Sequence, residues 1–407
     1  MRPRLLWTPL ICLAAVAAGC GAQTRSELVV SSDAELAALA AELLPDLARR
    51  SGMELRRPVR LESRSRAELV RYLTTKLDED LPEEEARART AAYAHLGLVD
   101  PDTDLRALLL ELYTEQVAGF YEPDSAALYV LDDQPPEALQ GLLVHELVHA
   151  VQDQSADLRA LTDPDVGGDR STAAMAAIEG HATLVMFEYL TEQMTGAPID
   201  LGAVPDFAAQ IGPALASMTT QFPALAGAPR VIRESLVFPY VDGAGYVQRL
   251  WSGGARASPF DAERLPRSTE QVLFPGAAPP VGVEITVGGG RPRLDDTLGS
   301  LELRILAEDV LGLTDNDASR LAAAWDGDRW LLVEDGSGAS GLLYATAWSD
   351  PAARDAFLAA ASTPSAAAGV LGGARTRALE VDGRPVSLVA LGSASLTGVA
   401  VRLAPGP

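Results

Sequence analysis

Two histidines four residues apart, with a glutamate beside the first, constrain this chain more than any other feature: His145-Glu146-Leu147-Val148-His149. They lie in an otherwise apolar run with Leu142, Leu143, Val144 and Val151. The spacing predicts a helix over Glu137 to Gln154, which turns both imidazoles onto one face, one turn apart. Two imidazoles and a carboxylate are costly to bury without partners. A metal ion removes that cost, and imidazoles at i and i+4 supply two corners of a tetrahedral Zn²⁺ site. The chain has only four histidines, His95, His145, His149 and His181, so composition alone does not explain the pattern. Glu146 would lie near such a metal without being needed as a ligand. From there it can take a proton from an activated water and return it to a leaving group.

A third protein ligand is required. Glu179, thirty residues after His149, is a charged residue in the apolar stretch Ala176-Ala177-Ile178-Glu179-Gly180-His181-Ala182-Thr183. A helix is expected from Thr172 to Met194, and Gly180 would let another helix approach beside Glu179. His181 and Glu188 compete for the same role. His181 falls on a different helix face from Glu179, so it is read instead as a substrate contact or an oxyanion stabiliser. Candidate donors to a developing negative charge are Tyr240, Tyr246, Arg233 and His181. With Glu146, His181 and Tyr240 form the expected catalytic set; His145, His149 and Glu179 form the expected metal set.

The start of the chain reads as a targeting segment. Arg2 and Arg4 precede an apolar stretch from Leu5 to Ala18, followed by Ala17-Ala18-Gly19-Cys20. Residues 1–19 are expected to be a lipoprotein signal, with lipid carried on Cys20 and the protein held outside the cytoplasm on a membrane. The apolar run is shorter than the roughly twenty residues of a spanning helix. Cys12 and Cys20 are the two cysteines, so removal of the signal leaves no intramolecular disulfide. A net charge of −23 argues against a nucleic-acid partner.

Further organisation follows from periodicity. Residues 20–104 read as a helical region, with helices over 33–49, 67–77 and 83–96 and a short strand at 59–61. Residues 105–275 form the central unit. It holds a helix over 105–117, a hairpin over 119–131 around Glu122-Pro123-Asp124-Ser125, and helices over 137–154, 172–194, 207–218 and 240–251. In Pro266-Arg267-Ser268-Thr269-Glu270-Gln271, Ser268 or Thr269 is expected to cap a short helix with a structural ion pair nearby. A Gly/Ala/Pro linker at 275–280 precedes residues 281–407, which read as a small α+β domain with a mostly antiparallel sheet. The whole is expected to be α+β and mainly helical. Residues 281–407 contain neither histidine nor cysteine, which suggests docking or structural work. The N-terminal helices are placed to cover a cleft as a propeptide would.

With these residues in view, the chain resembles the gluzincins, metallopeptidases in which HExxH on one helix is joined by a glutamate from a following helix. It is also similar to a set of bacterial exported proteins. These share a Gly-Phe/Tyr-Tyr hairpin, here Gly119-Phe120-Tyr121, and a helix like His145-Glu146-Leu147-Val148-His149-Ala150-Val151-Gln152-Asp153-Gln154. They also share an EG-x-AT segment, here Glu179 to Thr183, and a segment like Pro266 to Leu273. The resemblance runs from about Leu105 to Phe274, and the set carries aspartate where this chain has His181. It implies a zincin-like fold, a zinc cofactor, and hydrolysis of a peptide or protein substrate. It also implies an edge strand above the metal, expected at Ala127 to Leu131, that would pair with substrate. The competing expectation is a non-catalytic zinc-binding lipoprotein scaffold. Structural zinc sites, however, usually have four protein ligands and few carboxylates.

Overall fold

The computed structural model describes residues 28–163, 166–207, 209–213, 222–363 and 374–406. The signal segment with Cys20, and residues 208 and 214–218 of the expected 207–218 helix, lie outside the described residues. The fold is α+β, with a helical N-terminal half and an antiparallel sheet towards the C-terminus.

The described residues open with β1 (Val29–Val30) and α1 (Ala34–Ser51). Asp33 caps α1 by accepting from the backbone N–H groups of Glu35 and Leu36. β2 (Val59–Arg64) leads to α2 (Arg66–Asp80), which begins in a capping box between Ser65 and Glu68. Then come α3 (Glu83–Leu96), α4 (Leu105–Gln116), β3 (Gly119–Glu122), β4 (Ala127–Leu131) and α5 (Pro136–Gln152). After the single turn α6 (Leu158–Leu161), the long helix α7 (Gly168–Thr195) crosses the molecule. α8 (Pro223–Gly227), α9 (Arg230–Trp251) and α10 (Thr269–Leu273) complete the helical half.

The first sheet has the order β1-β2-β4-β3. β4 pairs in parallel with β2 on one side and antiparallel with β3 on the other. The edge strand is therefore β3, not the expected Ala127–Leu131. The burial pattern gives the reason: Ala127, Leu128, Val130 and Leu131 of β4 are all buried, as in a strand covered on both faces.

The C-terminal part contains β5 (Gly282–Thr286), β6 (Arg291–Asp296), α11 (Gly299–Asp309), α12 (Asp315–Ala323), β7 (Trp325–Glu334) and β8 (Ser340–Trp348). It ends with α13 (Pro351–Ser362), β9 (Arg375–Val381), β10 (Arg384–Gly392) and β11 (Ala400–Ala404). Five strands form an antiparallel sheet in the order β6-β7-β8-β10-β9, and β5 pairs with β11 separately. No described helix is long and apolar enough to cross a membrane.

Hydrophobic burial does not stop at residue 281. One core gathers α1, β2, β4, α5 and parts of α7 and α9. A second joins Ala92 and Leu96 of α3, Ala173 and Ala176 of α7, and Val231 and Phe238 of α9 to Trp330, Trp348 and Phe357 of the C-terminal part. The N-terminal end of α7 is also tied there by carboxylates. The Asp169 N–H donates to the Thr297 hydroxyl at 3.2 Å, and its carboxylate accepts from the backbone N–H and hydroxyl of Thr269 on α10, at 2.9 and 2.6 Å. Asp296 accepts from the N–H of Gly168 at 2.7 Å and pairs with Arg89 at 2.7 Å. Asp328 accepts from Leu298, Gly299, Trp325 and Tyr344. Ser268 caps α10, as expected, and so sets Thr269 against Asp169. The expected ion pair is missing: neither Arg267 nor Glu270 has one among the described residues.

This junction is sensitive to pH. Burial pushes Asp169 up to about 7, Glu270 and Glu302 up to about 8, and Asp328 up to about 6. Each carboxyl holds its proton more tightly folded than unfolded. Its contribution to stability is complete below the ordinary carboxyl pKa and is lost as pH rises through about 6 to 8. Stability is therefore expected to fall between pH 5 and pH 8, at most by about 1.4 kcal/mol per pH unit for each titrating group. Urea midpoints across that range check it. Glu302→Gln, which keeps an acceptor for the Tyr93 hydroxyl, should flatten the slope; an unaltered slope would remove Glu302 from the explanation.

Candidate metal centre

α5 delivers His145 and His149 because its other face is committed to the core: Leu143, Val144, Leu147, Val148 and Val151 are fully buried. α7 packs against α5 and brings Glu179. The Nε2 atoms of the two histidines are 3.1 Å apart. Glu179 Oε2 lies 3.0 Å from His145 Nε2 and 3.4 Å from His149 Nε2. Among the described residues, this trio is the group of three or more potential ligands that could hold a metal ion. Ligand atoms at zinc-like bond lengths on a tetrahedral ion are about 3.3 Å apart. The three observed separations fit that spacing, and two imidazoles with one carboxylate fit the donor set of zinc sites that keep a fourth position open.

The trio attracts positive charge. Burial acts to lower the pKa of His149, but the Glu179 charge and hydrogen bond, the Glu146 charge and a bond to Gln152 outweigh it and raise it to about 9. Burial acts to raise Glu179, yet the two histidines hold it well below the usual carboxylate range. Glu146 lies outside the trio. Its Oε2 accepts from the backbone N–H of Tyr121 on the edge strand β3 at 2.9 Å. Burial, opposed by the two histidines, leaves its pKa raised.

A third helix closes the site through a contact that glycine alone permits. A Cβ on Gly180 of α7 would lie 2.0 Å from the carbonyl carbon of Gly243 on α9, and one on Gly243 would lie 2.2 Å from the Ala176 oxygen. The backbones of α7 and α9 therefore touch beside Glu179. Tyr240 sits one turn before Gly243, and its ring stacks 6.0 Å from His145. The Glu179 charge raises its pKa well above the ordinary phenol value, with a hydrogen bond to Glu179 contributing. Tyr240 is 38% exposed and marks where the site meets solvent.

Of the residues expected from sequence, the structure brings together His145, His149, Glu179, Glu146 and Tyr240. His181 does not face the site's solvent side. It is fully buried, with Nδ1 2.8 Å from Gln152 Nε2 and Nε2 3.1 Å from the Ser51 oxygen. Two residues along a helix from Glu179 is a turn of about 200°, so the ring is directed away from the trio. Its expected contact with substrate or an oxyanion is accordingly corrected. Glu188 is engaged elsewhere, by Leu201 N–H and Arg256. The Tyr246 hydroxyl donates to the Arg264 oxygen, and Arg233 donates to the Ala228 oxygen. Sequence reasoning missed Gln152, whose Oε1 lies 2.8 Å from His149 Nδ1. Its signal was available: a polar residue three positions after His149 shares that helix face. It also missed Tyr121, which meets Glu146 through the backbone and so leaves no side-chain signature.

Comparison of the chain with protein-family models, curated proteins and solved structures finds no match.

Gly243→Ala should force α7 and α9 apart and lower stability by about 3 kcal/mol or more, at the upper end for an overpacked core. Urea unfolding measures this. A loss within about 0.5 kcal/mol would show that the backbone contact does not set the helix spacing.

Proposed function

We propose that the chain is a gluzincin-like zinc metallopeptidase, held outside the cytoplasm by lipid on Cys20. The observation that carries this reading is the separation of roles at one site. His145, His149 and Glu179 converge as a ligand set, while Glu146, between the two histidines in sequence, stays out of it with a raised proton affinity. A structural zinc site has no need of that fourth group.

His145, His149 and Glu179 would hold the ion. Bound there, zinc supplies Lewis acidity towards a carbonyl oxygen and makes water acidic enough to yield a nucleophile near neutral pH. Glu146 accepts the proton of the attacking water and delivers it to the leaving amine; its raised pKa suits both transfers. The Tyr121 N–H fixes the Glu146 carboxylate while one oxygen remains to take the proton. Tyr240 keeps its proton at neutral pH and, once Glu179 is turned to a bound ion, would donate a hydrogen bond to the oxygen that becomes negative. β3 is an edge strand among the described residues, and its outer backbone groups other than the Tyr121 N–H would pair with an extended peptide.

One observation favours the non-catalytic alternative. By accepting the Tyr121 N–H, Glu146 also does structural work, tying the hairpin to α5.

Metal content and hydrolysis of an unfolded protein such as casein separate the two readings. Wild type should hold about one zinc and cleave. Glu146→Gln should keep zinc and lose at least about 10²-fold in turnover. Tyr240→Phe should keep zinc and lose about 10²-fold in kcat. Glu179→Ala should lose the metal. Absence of zinc from wild type sinks the proposal; zinc without cleavage supports the scaffold. Cys20→Ser should move the protein from the membrane fraction to the soluble one, and no change would rule out the lipid anchor.

A further inference from the structure

A continuous line of hydrogen bonds runs from the end of α1 to the centre of the site. Ser51 is the last residue of α1, where backbone carbonyls have no partner within the helix. Its oxygen lies 3.1 Å from His181 Nε2. Nδ1 of His181 lies 2.8 Å from Gln152 Nε2, which is also 2.9 Å from the Ile178 oxygen. Oε1 of Gln152 lies 2.8 Å from His149 Nδ1.

Two carbonyl oxygens, which only accept, set the direction of every bond in this line. Facing Ser51, His181 Nε2 must carry a proton, so Nδ1 of the neutral ring is an acceptor. Facing Ile178 and His181 Nδ1, Gln152 must present its NH₂ there and its oxygen to His149. His149 must then donate from Nδ1, which leaves Nε2 as the atom turned to His145 and Glu179. Gln152 and His181 are both fully buried, so water does not substitute for any of these partners. Trp251 and Phe260 meet the His181 ring edge-on at 5.5 and 5.9 Å and prevent it from turning. Burial lowers His181 to about 4, in keeping with a neutral ring.

We infer that Gln152 and His181 are positioning residues for the metal centre, and that the Ser51 carbonyl, through them, fixes the orientation and ligating nitrogen of His149. The inference rests on the zinc-site reading above. It makes α1 part of the metal centre, so the N-terminal region is not a removable cover.

The test compares zinc affinity, by chelator competition, with the urea midpoint of the metal-free protein. Gln152→Met fills the space and removes every bond; zinc affinity should fall about 10- to 100-fold. Gln152→Glu keeps an acceptor for His149 but sets a buried charge against the Ile178 oxygen. It should be the less stable of the two and yet bind zinc more tightly. His181→Phe keeps a ring against Trp251 and Phe260, frees the Gln152 amide, and should also weaken zinc binding. Opposite rankings of affinity and stability for the two Gln152 variants support the inference. Affinity that follows stability, or wild-type affinity in His181→Phe, overturns it while the zinc site stands. If Gln152→Glu does not fold, Gln152→Met and His181→Phe decide, each needing a loss of affinity beyond its loss of stability. A wild-type protein that binds no zinc ends this inference and the proposed function together.

Discussion

A carboxylate buried between two imidazoles in an apolar core is tolerable only with positive charge beside it. Glu179 is in that position, 8% exposed and within 3.4 Å of both His145 and His149. A proton can supply the charge, and so can a divalent ion. Much of the helical half serves to hold this arrangement. α5 commits its apolar face to the first core so that the histidines point outward from it. α7 packs Ala173 and Ala176 into the second core and carries Glu179 to α5, within 3.4 Å of both histidines. The glycine contact between α7 and α9 removes the side-chain layer that would otherwise separate two helices. That closeness is what allows Tyr240 to reach the same charge.

How far this was readable in the sequence depends on how local each determinant is. Helix positions followed from apolar spacing and caps, and α1, α3 and α5 begin and end within a few residues of expectation. The HExxH helix and Glu179 were legible because charged groups in apolar helices need partners, and few were on offer. Gly180 was legible as a point of close approach, but its counterpart Gly243 was not, since nothing local says which glycine it meets. The edge strand was misread because pairing between β2 and β4 joins segments about seventy residues apart. The near-continuous apolar run of β4 did carry the clue that it is interior. The strands of residues 281–407 were legible only as a mostly antiparallel sheet, since β5, β6 and β9 are polar, exposed or broken by glycine and proline, which weakens the alternation that marks a strand. His181 misled because its angular offset from Glu179, which took it out of the ligand set, was read as turning it towards substrate, whereas it turns the ring into the core.

The same geometry changes what the flanking regions are for. The C-terminal sheet shows no chemistry of its own, but it grips the first turn of α7. Asp296 at the end of β6 accepts the Gly168 N–H and Thr297 accepts the Asp169 N–H, while Thr269 of α10 bonds the Asp169 carboxylate from the helical side. This accounts for the polar segment around Ser268 and Thr269, which sequence alone left as a cap with an ion pair. On the opposite side, β1 and β2 extend the first sheet, and the end of α1 meets His181. α7 is thus held at its start by the C-terminal part, at Gly180 by α9, and at His181 by α1. Glu179 lies between the first and second of these points, next to Gly180. Its carboxylate can be kept within ligand distance of two histidines because the helix that carries it is restrained on both sides of the site. A chain lacking either flanking region would lose one of those restraints, so the His145, His149 and Glu179 cluster belongs to the whole fold rather than to the central helices alone.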